Sequence, residues 1–360
     1  MKILHLNSYY IGSPFYKNIY DYQRINNCVD VYCHTFDSST SLDDEKCILS
    51  CCYSKLDRFM FFRKHKKIFD DIQKKFKVNE YDIIHAHSLF NNGFDAYKIY
   101  KKHRTPYVVS VRNTDVNLFF RRLFFLRKTG INILINAKKV IFISPSYRDY
   151  VLNNFIPRQY EKDIKEKSIV IPNGVDDFWL DNINNHEKSI NQIRVATAAS
   201  IEKNKNQLNV CKSLELLKKK GFAVKYNLYG KIRDKNYFKK ISKFEFVTYH
   251  GQLFKNELIK QYDSIDVFVM PSYFETFGLV YVEAMSQGIP LVYSKDQGFD
   301  NWFEDGMAGY STMPNKTSDI CSKILLCYKN YEKISQFNNS KCLSFRWSLI
   351  NDLIFDTYLN

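Results

Sequence analysis

The 360-residue sequence has little of several features that mark whole classes of protein. Glycine and proline are scarce, with 12 and 8 residues, which argues against disordered and collagen-like chains. No run approaches 18 consecutive apolar residues, so no membrane span is predicted. The opening "MKILHLNSYY" is typical of a short buried strand and not of a secretion signal. These absences leave a globular chain with enough length for two domains.

Motifs for metal and dinucleotide binding are missing as well. The nine cysteines form no C-x-x-C pair, so a zinc module is not predicted and a reducing cytoplasm is the expected location. His85 and His87 share one face of a strand end, but the sequence shows no third ligand beside them, so no metal site is predicted. No G-x-G-x-x-G opens either half of the chain, which argues against ordinary dinucleotide binding.

Charge of one sign is in excess. The formal net charge is +15 and the pI is about 9.2. Nucleic acid, an anionic membrane surface and phosphorylated substrates are all compatible with this charge, and so is a mere compositional bias towards lysine and asparagine. No recognition helix, RNP-like strand or zinc module accompanies the charge, so we expect no nucleic-acid partner.

Strand-like apolar runs alternate with longer amphipathic segments, which is typical of a doubly wound α/β architecture. In the first half the predicted strands are "KILHLN", "VDVYCH", "YDIIHAH", "PYVVSV", "KKVIFIS" and "SIVIPN". After a polar segment a second series follows, with "IRVATAAS", "VKYNLYG", "EFVTYHG", "IDVFVMPS" and "IPLVYS". The sequence therefore predicts two Rossmann-like domains, with substrate in the cleft between facing sheet edges.

The domain boundaries follow from this pattern. We expect an acceptor-binding domain over residues 1–175, a linker over 176–192 and a nucleotide-sugar-binding domain over 193–340. A final helix over 341–360 should cross back to the first domain.

The stretch "MPSYFETFGLVYVEAMSQGIPLV", residues 270–292, places two carboxylates around a glycine at a strand-to-helix joint. The helix is expected to begin near Gly278 and run to about Gln287. Its first backbone N–H groups, from Gly278 to Val280, have no intrahelical partner and suit an anion such as a diphosphate. Glu275 and Glu283 on either side suit the hydroxyl groups of a sugar and a ribose. A sugar nucleotide satisfies all three features.

This stretch resembles the E-x7-E signature of retaining glycosyltransferases with the GT-B fold, family 4 in particular (glycosyl transferases group 1). The pattern PS-x-x-E-x-FG-x-x-x-x-EAM-x-x-G-x-P matches over nearly its full length. "SIVIPNGVD", "LYGK", "YHGQL" and "FRWSLI" resemble further segments of that family. The resemblance covers the second half strongly and the first half loosely.

The resemblance implies roles on the donor side. Lys205 would neutralise the diphosphate leaving group, Glu275 would hold the sugar, and these two are the catalytic candidates. Ser200 stands where the family usually has an arginine, so Lys231 or Arg233 would have to compensate. Glu283 would bind the ribose and backbone groups near Leu253 the base. The complete set of predicted donor residues is Ser200, Lys205, Gly230, Leu253, Glu275, Phe277, Gly278, Leu279, Val280 and Glu283.

On the acceptor side the sequence departs from the family pattern. Where many relatives have a segment resembling "HGTD", this chain has "SVRNTDV", so Arg112 stands at the histidine position and Asp115 remains. Arg112 would bind a phosphate and Asp115 an acceptor hydroxyl, or the two would form a structural pair. The predicted acceptor-side residues are Gly12, His87, Arg112 and Asp115.

The expected activity is transfer of a hexosyl group, with retention and without a metal or other cofactor, from a UDP- or GDP-linked sugar. The acceptor would be a glycan or lipid-linked glycan in cell-surface polysaccharide assembly. Residues 59–69 and 119–130 interleave aromatic and basic side chains. As amphipathic helices they would either lie on the inner face of an anionic membrane or pack an aromatic stripe into the core and leave the basic face in solvent. A GT-B-type sugar-nucleotide epimerase, a basic protein that binds nucleic acid or membrane without turnover, and a degenerate transferase stay open as alternatives.

Overall fold

The computed structural model describes residues 1–12 and 16–360. It divides into two compact units. The first contains residues 1–143, 148–171 and 348–360, and the second contains residues 144–147 and 172–347.

Thirteen strands are described: β1 Lys2–Leu6, β2 Cys28–Thr35, β3 Cys47–Cys51, β4 Ile83–Ala86, β5 Tyr107–Val111, β6 Lys139–Phe142, β7 Ser168–Val170, β8 Ile193–Ala198, β9 Val224–Tyr229, β10 Val247–Tyr249, β11 Val267–Met270, β12 Leu291–Ser294 and β13 Gly309–Thr312. The α-helices are α1 Lys17–Arg24, α2 Phe61–Lys75, α3 Gly93–His103, α4 Arg127–Asn136, α5 Pro145–Phe155, α6 Arg158–Glu166, α7 Asp177–Asp181, α8 Gln207–Lys219, α9 Lys235–Ile241, α10 Lys255–Tyr262, α11 Leu279–Met285, α12 Thr317–Lys329, α13 Tyr331–Lys341 and α14 Trp347–Leu359.

Each unit is built on one parallel sheet. The first sheet has the order β3-β2-β1-β4-β5-β6-β7 and the second has the order β10-β9-β8-β11-β12-β13. Both orders reverse direction next to the first strand of the unit, at β1–β4 and at β8–β11. In an open parallel sheet such a reversal leaves a crevice at the carboxyl ends of the strands, where ligands bind. The prediction of two Rossmann-like α/β domains is confirmed.

The interior strands are buried on both faces and mostly apolar, because helices cover both sides of the sheet. In β5 and β11 every residue is buried. Polar side chains fix where helices begin. Asp176 accepts a hydrogen bond from the backbone N–H of Phe178 before α7, and Asp234 does so from Tyr237 before α9. These aspartates satisfy donors that the helix itself leaves open.

The sequence pattern missed both β3 and β13. Each lies at an edge of its sheet, where one side of the strand has no partner and the apolar run is short and interrupted. "CILSC" and "GYST" therefore lack the continuous hydrophobic signal of the interior strands.

The predicted helix over 119–130 is wrong. A π-helical turn covers Asp115–Phe120, a 3-10 helix covers Phe124–Leu126, and α4 begins only at Arg127. Gly130 of α4 packs directly against the ring of Phe90 and leaves no room for a side chain between them. The other predicted amphipathic segment, 59–69, lies at the end of a 3-10 helix over Leu56–Phe59 and in α2.

The two units divide the chain at slightly different points from the predicted domains. The first long break follows Ile171, and of the final segment only residues 348–360 belong to the first unit. Residues 176–192 belong to the second unit, because Asp266 accepts hydrogen bonds from the backbone of Ser189 and of Arg194. Within residues 1–12 and 16–360, no helix combines the length and the apolarity needed to cross a membrane.

Candidate active site

A cavity of about 400 Å³ lies at the carboxyl edge of the second sheet. The loops after β8, β9 and β10 line it, and Val280 of α11 closes one side. Four of the predicted donor residues share its wall, as do the two cations expected to compensate for the missing arginine: Ser200, Gly230, Leu253, Val280, Lys231 and Arg233. The hydroxyl of Ser200 donates to Glu202 Oε1 at 2.6 Å. Nothing in the sequence pattern had singled out Glu202.

Lys205 and Glu275 meet beside this edge, although 70 residues separate them. Lys205 Nζ lies 2.7 Å from Glu275 Oε2, and both side chains are mostly buried. The other carboxylate oxygen of Glu275 accepts from the backbone N–H of Thr276 at 3.1 Å. The two catalytic candidates therefore form one charged unit, with the lysine able to exchange its carboxylate partner for a phosphate.

The loop that carries Glu275 is held at several points. The side-chain amide of Asn204 makes two hydrogen bonds to the backbone of Phe274. Its Oδ1 accepts from the N–H of Phe274 at 3.1 Å, and its Nδ2 donates to the carbonyl of Phe274 at 3.1 Å. Gln297 accepts from the N–H of Glu275 at 3.1 Å. These amide contacts restrict the carboxylate to one place. Sequence reasoning missed both amides, since a lone Asn or Gln carries no motif.

Gly278 has the backbone conformation that the loop-to-helix joint requires. Its φ is +81°, and a Cβ there would collide with the ring of Tyr281 at 2.6 Å. This conformation leads the chain into α11, where the N–H groups of Leu279 and Val280 precede the first hydrogen bond of the turn, from Tyr281 N to Gly278 O at 2.9 Å. Leu279 and Val280 begin that turn and are half-buried.

Glu283 lies one turn further into α11. Its side chain makes no hydrogen bond or ion pair within the described part of the chain. Burial raises the pKa of Glu283 to about 7, and the negative charge of Asp176 adds to the rise. A carboxyl group in this state is short of donors, and a pair of ribose hydroxyls would supply them.

Phe277 has a different place from the other predicted donor residues. It is buried and packs against the rings of Phe299, Trp302 and Phe345. Its contacts are those of a core residue that anchors the loop, and its backbone alone is near the site.

In the first unit, three buried histidines form a cluster: His5, His85 and His87. Sequence analysis had found no third ligand beside His85 and His87, yet His5 on β1 stands opposite His85 on β4. The sequence offered one signal for His5: it lies in the predicted first strand, at a position that can face the same side of the sheet as His85. Their nearest ring nitrogens lie within 4.8 Å of one another, so the cluster has the donor set of a transition-metal site.

Hydrogen bonds already occupy most of this cluster. His5 bonds to His87 and to Gln23, each at 2.9 Å. His85 bonds to the hydroxyls of Tyr358 at 2.6 Å and Ser110 at 3.0 Å. Burial lowers the pKa of His5 to about 3, so the cluster is a network of neutral imidazoles. Only Nδ1 of His87 is buried without a partner.

Asp115 and Arg112 lie near the end of β5. The Asp115 carboxylate is fully buried and accepts from the backbone N–H groups of Leu89, Phe90 and Arg112 at 2.8–3.0 Å. Burial raises the pKa of Asp115 to about 6, and the three N–H groups act against that rise. Its oxygens are used in fixing loops, so the geometry favours the structural alternative for Asp115. Arg112 Nε donates to the carbonyl of His87 at 3.4 Å.

Gly12, the remaining predicted acceptor-side residue, lies on a second cavity. This one measures about 600 Å³ and belongs wholly to the first unit. His87, Arg112 and Asp115 do not line it.

Known proteins resemble both halves of the chain. The family model of glycosyl transferases group 1 matches residues 181–341, and that of glycosyltransferase family 4 matches residues 26–177. An uncharacterized glycosyltransferase of Methanocaldococcus jannaschii is 26% identical over 264 residues, which are 70% of this chain and 66% of that protein. A sulfoquinovosyl transferase of Arabidopsis thaliana is 39% identical, but the match spans only 21% of this chain and 16% of that protein. A D-inositol 3-phosphate glycosyltransferase of Arthrobacter is 39% identical over 31% of this chain and 27% of its own length.

Solved structures resemble the whole chain at low identity. A lipopolysaccharide outer core galactosyltransferase has a TM-score of 0.77 with 15% identity, covering 100% of this chain and 99% of its own. Sucrose-phosphate synthase from Thermosynechococcus elongatus has a TM-score of 0.75 with 15% identity, covering 100% and 98%. An Anabaena protein in complex with UDP and glucose has a TM-score of 0.70 with 18% identity, covering 100% of both chains.

These neighbours show the GT-B fold, and the family models favour neither the epimerase alternative nor the nucleic-acid-binding one. With family models on both halves of the chain and that fold throughout, the protein is a GT-B glycosyltransferase of the group that comprises glycosyl transferases group 1 and glycosyltransferase family 4.

Proposed function

We propose that this glycosyltransferase moves a hexosyl group from a nucleoside diphosphate sugar to a glycan or lipid-linked glycan, with retention of the anomeric configuration and without a metal. The observation that carries the proposal is the contact between Lys205 and Glu275, 2.7 Å long, in the segments that follow the adjacent strands β8 and β11. Neither of these two side chains lines the cavity of the second sheet itself. The contact joins a cation for the leaving group to a carboxylate for the sugar at the edge where parallel sheets bind ligands.

The cavity suits the nucleoside diphosphate. Lys231 and Arg233 line it together with Ser200, so the cavity has two cations although the arginine of the family pattern is replaced by Ser200. Because the hydroxyl of Ser200 already donates to Glu202, we assign the phosphate charge to Lys205, Lys231 and Arg233. Glu283, which has no partner in the described chain, would accept the ribose hydroxyls.

Relatives support the donor and the setting. The Anabaena neighbours were solved in complex with UDP, UDP and glucose, and UDP-glucose, which favours a UDP-linked sugar over a GDP-linked one. A Klebsiella pneumoniae protein encoded in a cps region is 27% identical over 66% of this chain. We therefore keep the assembly of a surface polysaccharide as the proposed setting.

The chemistry needs no group beyond these residues. The bond between C1 of the sugar and the diphosphate oxygen breaks while the acceptor oxygen bonds to C1 on the same face. The acceptor proton passes to the departing diphosphate. Lys205 and the first N–H groups of α11 stabilise the negative charge that develops on the leaving group, which is the task a divalent ion performs in other enzymes. Glu275 orients the sugar through its hydroxyls.

The test is a panel of nucleotide sugars, supplied with EDTA, in which thermal stabilisation and slow hydrolysis are measured. We expect one donor to stabilise the wild type. Lys205→Met should weaken its binding at least tenfold, because one charge-assisted contact to phosphate is lost. Glu275→Gln should reduce turnover more than binding. Lys203→Met and Glu304→Gln, at exposed positions, are the matched controls.

Three outcomes would reject the proposal. The first is that no nucleotide sugar binds. The second is that Lys205→Met and Lys203→Met behave alike. The third is that EDTA abolishes turnover and a divalent ion restores it. Proton NMR of the first product formed determines the anomeric configuration, and an inverted product would reject retention alone.

A further inference from the structure

We propose that the cavity of the first sheet binds an oxyanion of the acceptor, a phosphate or carboxylate attached to a sugar, between Lys64 and Arg58. The identification of the ligand as the acceptor rests on the proposed function. The anion site itself rests on the contacts of the first unit alone.

The cavity, about 600 Å³ in volume, lies at the carboxyl ends of β1, β2 and β4, next to the point where the strand order reverses. Parallel sheets bind their ligands at this place. Polar and aromatic groups share its wall with the two cations, among them Tyr9, His34, Phe36, Tyr53, Asn91 and Thr114.

Lys64 is a half-buried cation with no counterion. Its Nζ donates to Asn91 Oδ1 at 3.0 Å, and no carboxylate of the described residues lies within 4.0 Å of it. Burial lowers the pKa of Lys64, and the charge of Asp95 acts against that fall. An ammonium group held partly out of water without an anion is costly, and a ligand oxyanion would remove that cost.

The acidic side chains nearest to Lys64 contact other groups, although Oδ1 of Asp95 is buried without a hydrogen-bond partner. Asp95 lies 2.7 Å from Nδ1 of His65. Asp57 binds Lys67 at 2.7 Å and Arg63 at 2.9 Å. The cavity therefore has two cations, Lys64 and Arg58, that form no ion pair with the described residues, and Asp95 offsets the charge of Lys64 only from beyond ion-pair distance.

Arg58 supplies the second cation. Its guanidinium lies 4.4 Å from the centre of the Phe36 ring and is exposed, with no ion pair among the described residues. A guanidinium stacked on an aromatic ring keeps its N–H groups free for a planar or tetrahedral oxyanion. The neighbouring His34 adds no charge, because burial and then the charge of Lys64 hold its pKa well below the ordinary value.

The rest of the wall suits a sugar. Tyr53 lies with its ring centre 5.6 Å from Lys64 Nζ and its hydroxyl 3.3 Å from Nδ1 of His34. Aromatic rings with a polar end pack against the apolar face of a sugar while their hydroxyls bond to its edge. An anionic sugar uses both the cations and the rings, whereas a free inorganic anion uses only the cations.

The experiment titrates the full-length protein with glucose, glucose 6-phosphate, glucuronate and inorganic phosphate, followed by ligand-observed NMR. We expect both anionic sugars to bind the wild type more tightly than glucose does. Lys64→Met should weaken that binding about tenfold or more, and Arg58→Gln should weaken it to a smaller extent. Lys66→Met, an exposed position on the same helix, should leave it unchanged. If glucose 6-phosphate binds more tightly than glucuronate, the anion is identified as a phosphate, and if glucuronate binds more tightly, as a carboxylate.

Equal binding of glucose and the anionic sugars, or no binding of either anionic sugar, would overturn the inference. So would equal losses in Lys64→Met and Lys66→Met, or inorganic phosphate binding as tightly as glucose 6-phosphate. Donor binding, measured on the same variants, separates the two proposals. If no nucleotide sugar binds but glucose 6-phosphate still requires Lys64, the proposed function fails and the anion site stands.

Discussion

At the scale of single residues, Glu283 links the pH of the solution to donor binding. Burial raises the pKa of Glu283 to about 7, so below this pH the folded protein holds a neutral carboxyl, and above it a carboxylate. The carboxylate accepts hydroxyl hydrogen bonds more strongly. Donor affinity should therefore rise with pH through about 7, and be about tenfold tighter at pH 8 than at pH 6.

Isothermal titration with the selected nucleotide sugar between pH 5.5 and 8.5 measures this dependence, because a diphosphate diester does not itself titrate there. Glu283→Gln should bind more weakly at high pH and show a flat profile. Glu332→Gln, which has an exposed carboxylate on α13, should keep the wild-type profile. A wild-type profile that is flat, or that falls with pH, would exclude Glu283 as the ribose ligand.

Sequence alone predicts donor-binding residues in the loop before α11, because a strand, a glutamate, a glycine and a helix follow one another in a fixed order over 270–292. It did not predict which partners those residues have. The contact of Lys205 with Glu275 joins elements 70 residues apart. His5 and Lys64 became visible only when β1, β4 and α2 were placed together. A residue whose role depends on packing and not on local spacing leaves no pattern in one sequence.

At the scale of elements, the turn after β9 depends on one glycine. Gly230 has φ +137°, and a Cβ there would overlap the carbonyl of Ala199, a rigid backbone group in the loop after β8. The N–H of Gly230 donates to Gly251 at 2.7 Å, so the turn cannot move away freely. Gly230→Ala should lower the free energy of unfolding by roughly 2–4 kcal/mol and weaken donor binding, since Ser200 follows Ala199.

Gly221→Ala is the matched control, because Gly221 also has a positive φ, +88°, but nothing lies within 4 Å of its Cβ position. It should cost about 1 kcal/mol from the backbone conformation alone and leave donor binding intact. Urea denaturation of both variants, with titration of the donor, measures the difference. If Gly230→Ala and Gly221→Ala lower the free energy of unfolding equally, the turn after β9 accommodates the added methyl group and the prediction is wrong.

Burial explains which strands the sequence predicts, and tertiary packing explains the helix that it predicts wrongly. Interior parallel strands such as β5 and β11 are buried on both faces, which requires an unbroken apolar run that a sequence displays openly. The edge strands β3 and β13 do not require it. The segment 119–130 has helical periodicity, but the packing of Gly130 on Phe90 and the π-helical turn at Asp115–Phe120 divide it. In segment 119–130, tertiary packing and not the helical periodicity determines the local structure.

At the scale of the whole molecule, which carries a formal net charge of +15, some of the arginines lie beside exposed apolar side chains of the first unit. We define the aromatic–basic patch as Arg58, Phe59, Phe62, Leu118, Arg121, Arg122, Phe124 and Phe125, all exposed. Its two segments meet where the rings of Phe61 and Phe119 lie 6.0 Å apart. Phe59 and Phe124 are 86% and 71% exposed, which is unusual for phenylalanine. Exposed aromatics among arginines are complementary to an anionic bilayer, whose headgroups take the cations while the rings enter the interface.

Vesicle binding tests this surface. The wild type should sediment with vesicles of equal parts phosphatidylglycerol and phosphatidylcholine, and less so as salt rises, because surface charges are screened. Replacing Phe59, Phe62, Phe124 and Phe125 by Ser should weaken binding at least tenfold. The double variant Ile190→Ser and Phe254→Ser removes apolar groups that are 89% and 78% exposed in the second unit and should bind as the wild type does. If pure phosphatidylcholine binds equally well, or if both variants lose binding to the same extent, the aromatic–basic patch is not a membrane surface. The acceptor would then have to reach the enzyme from solution.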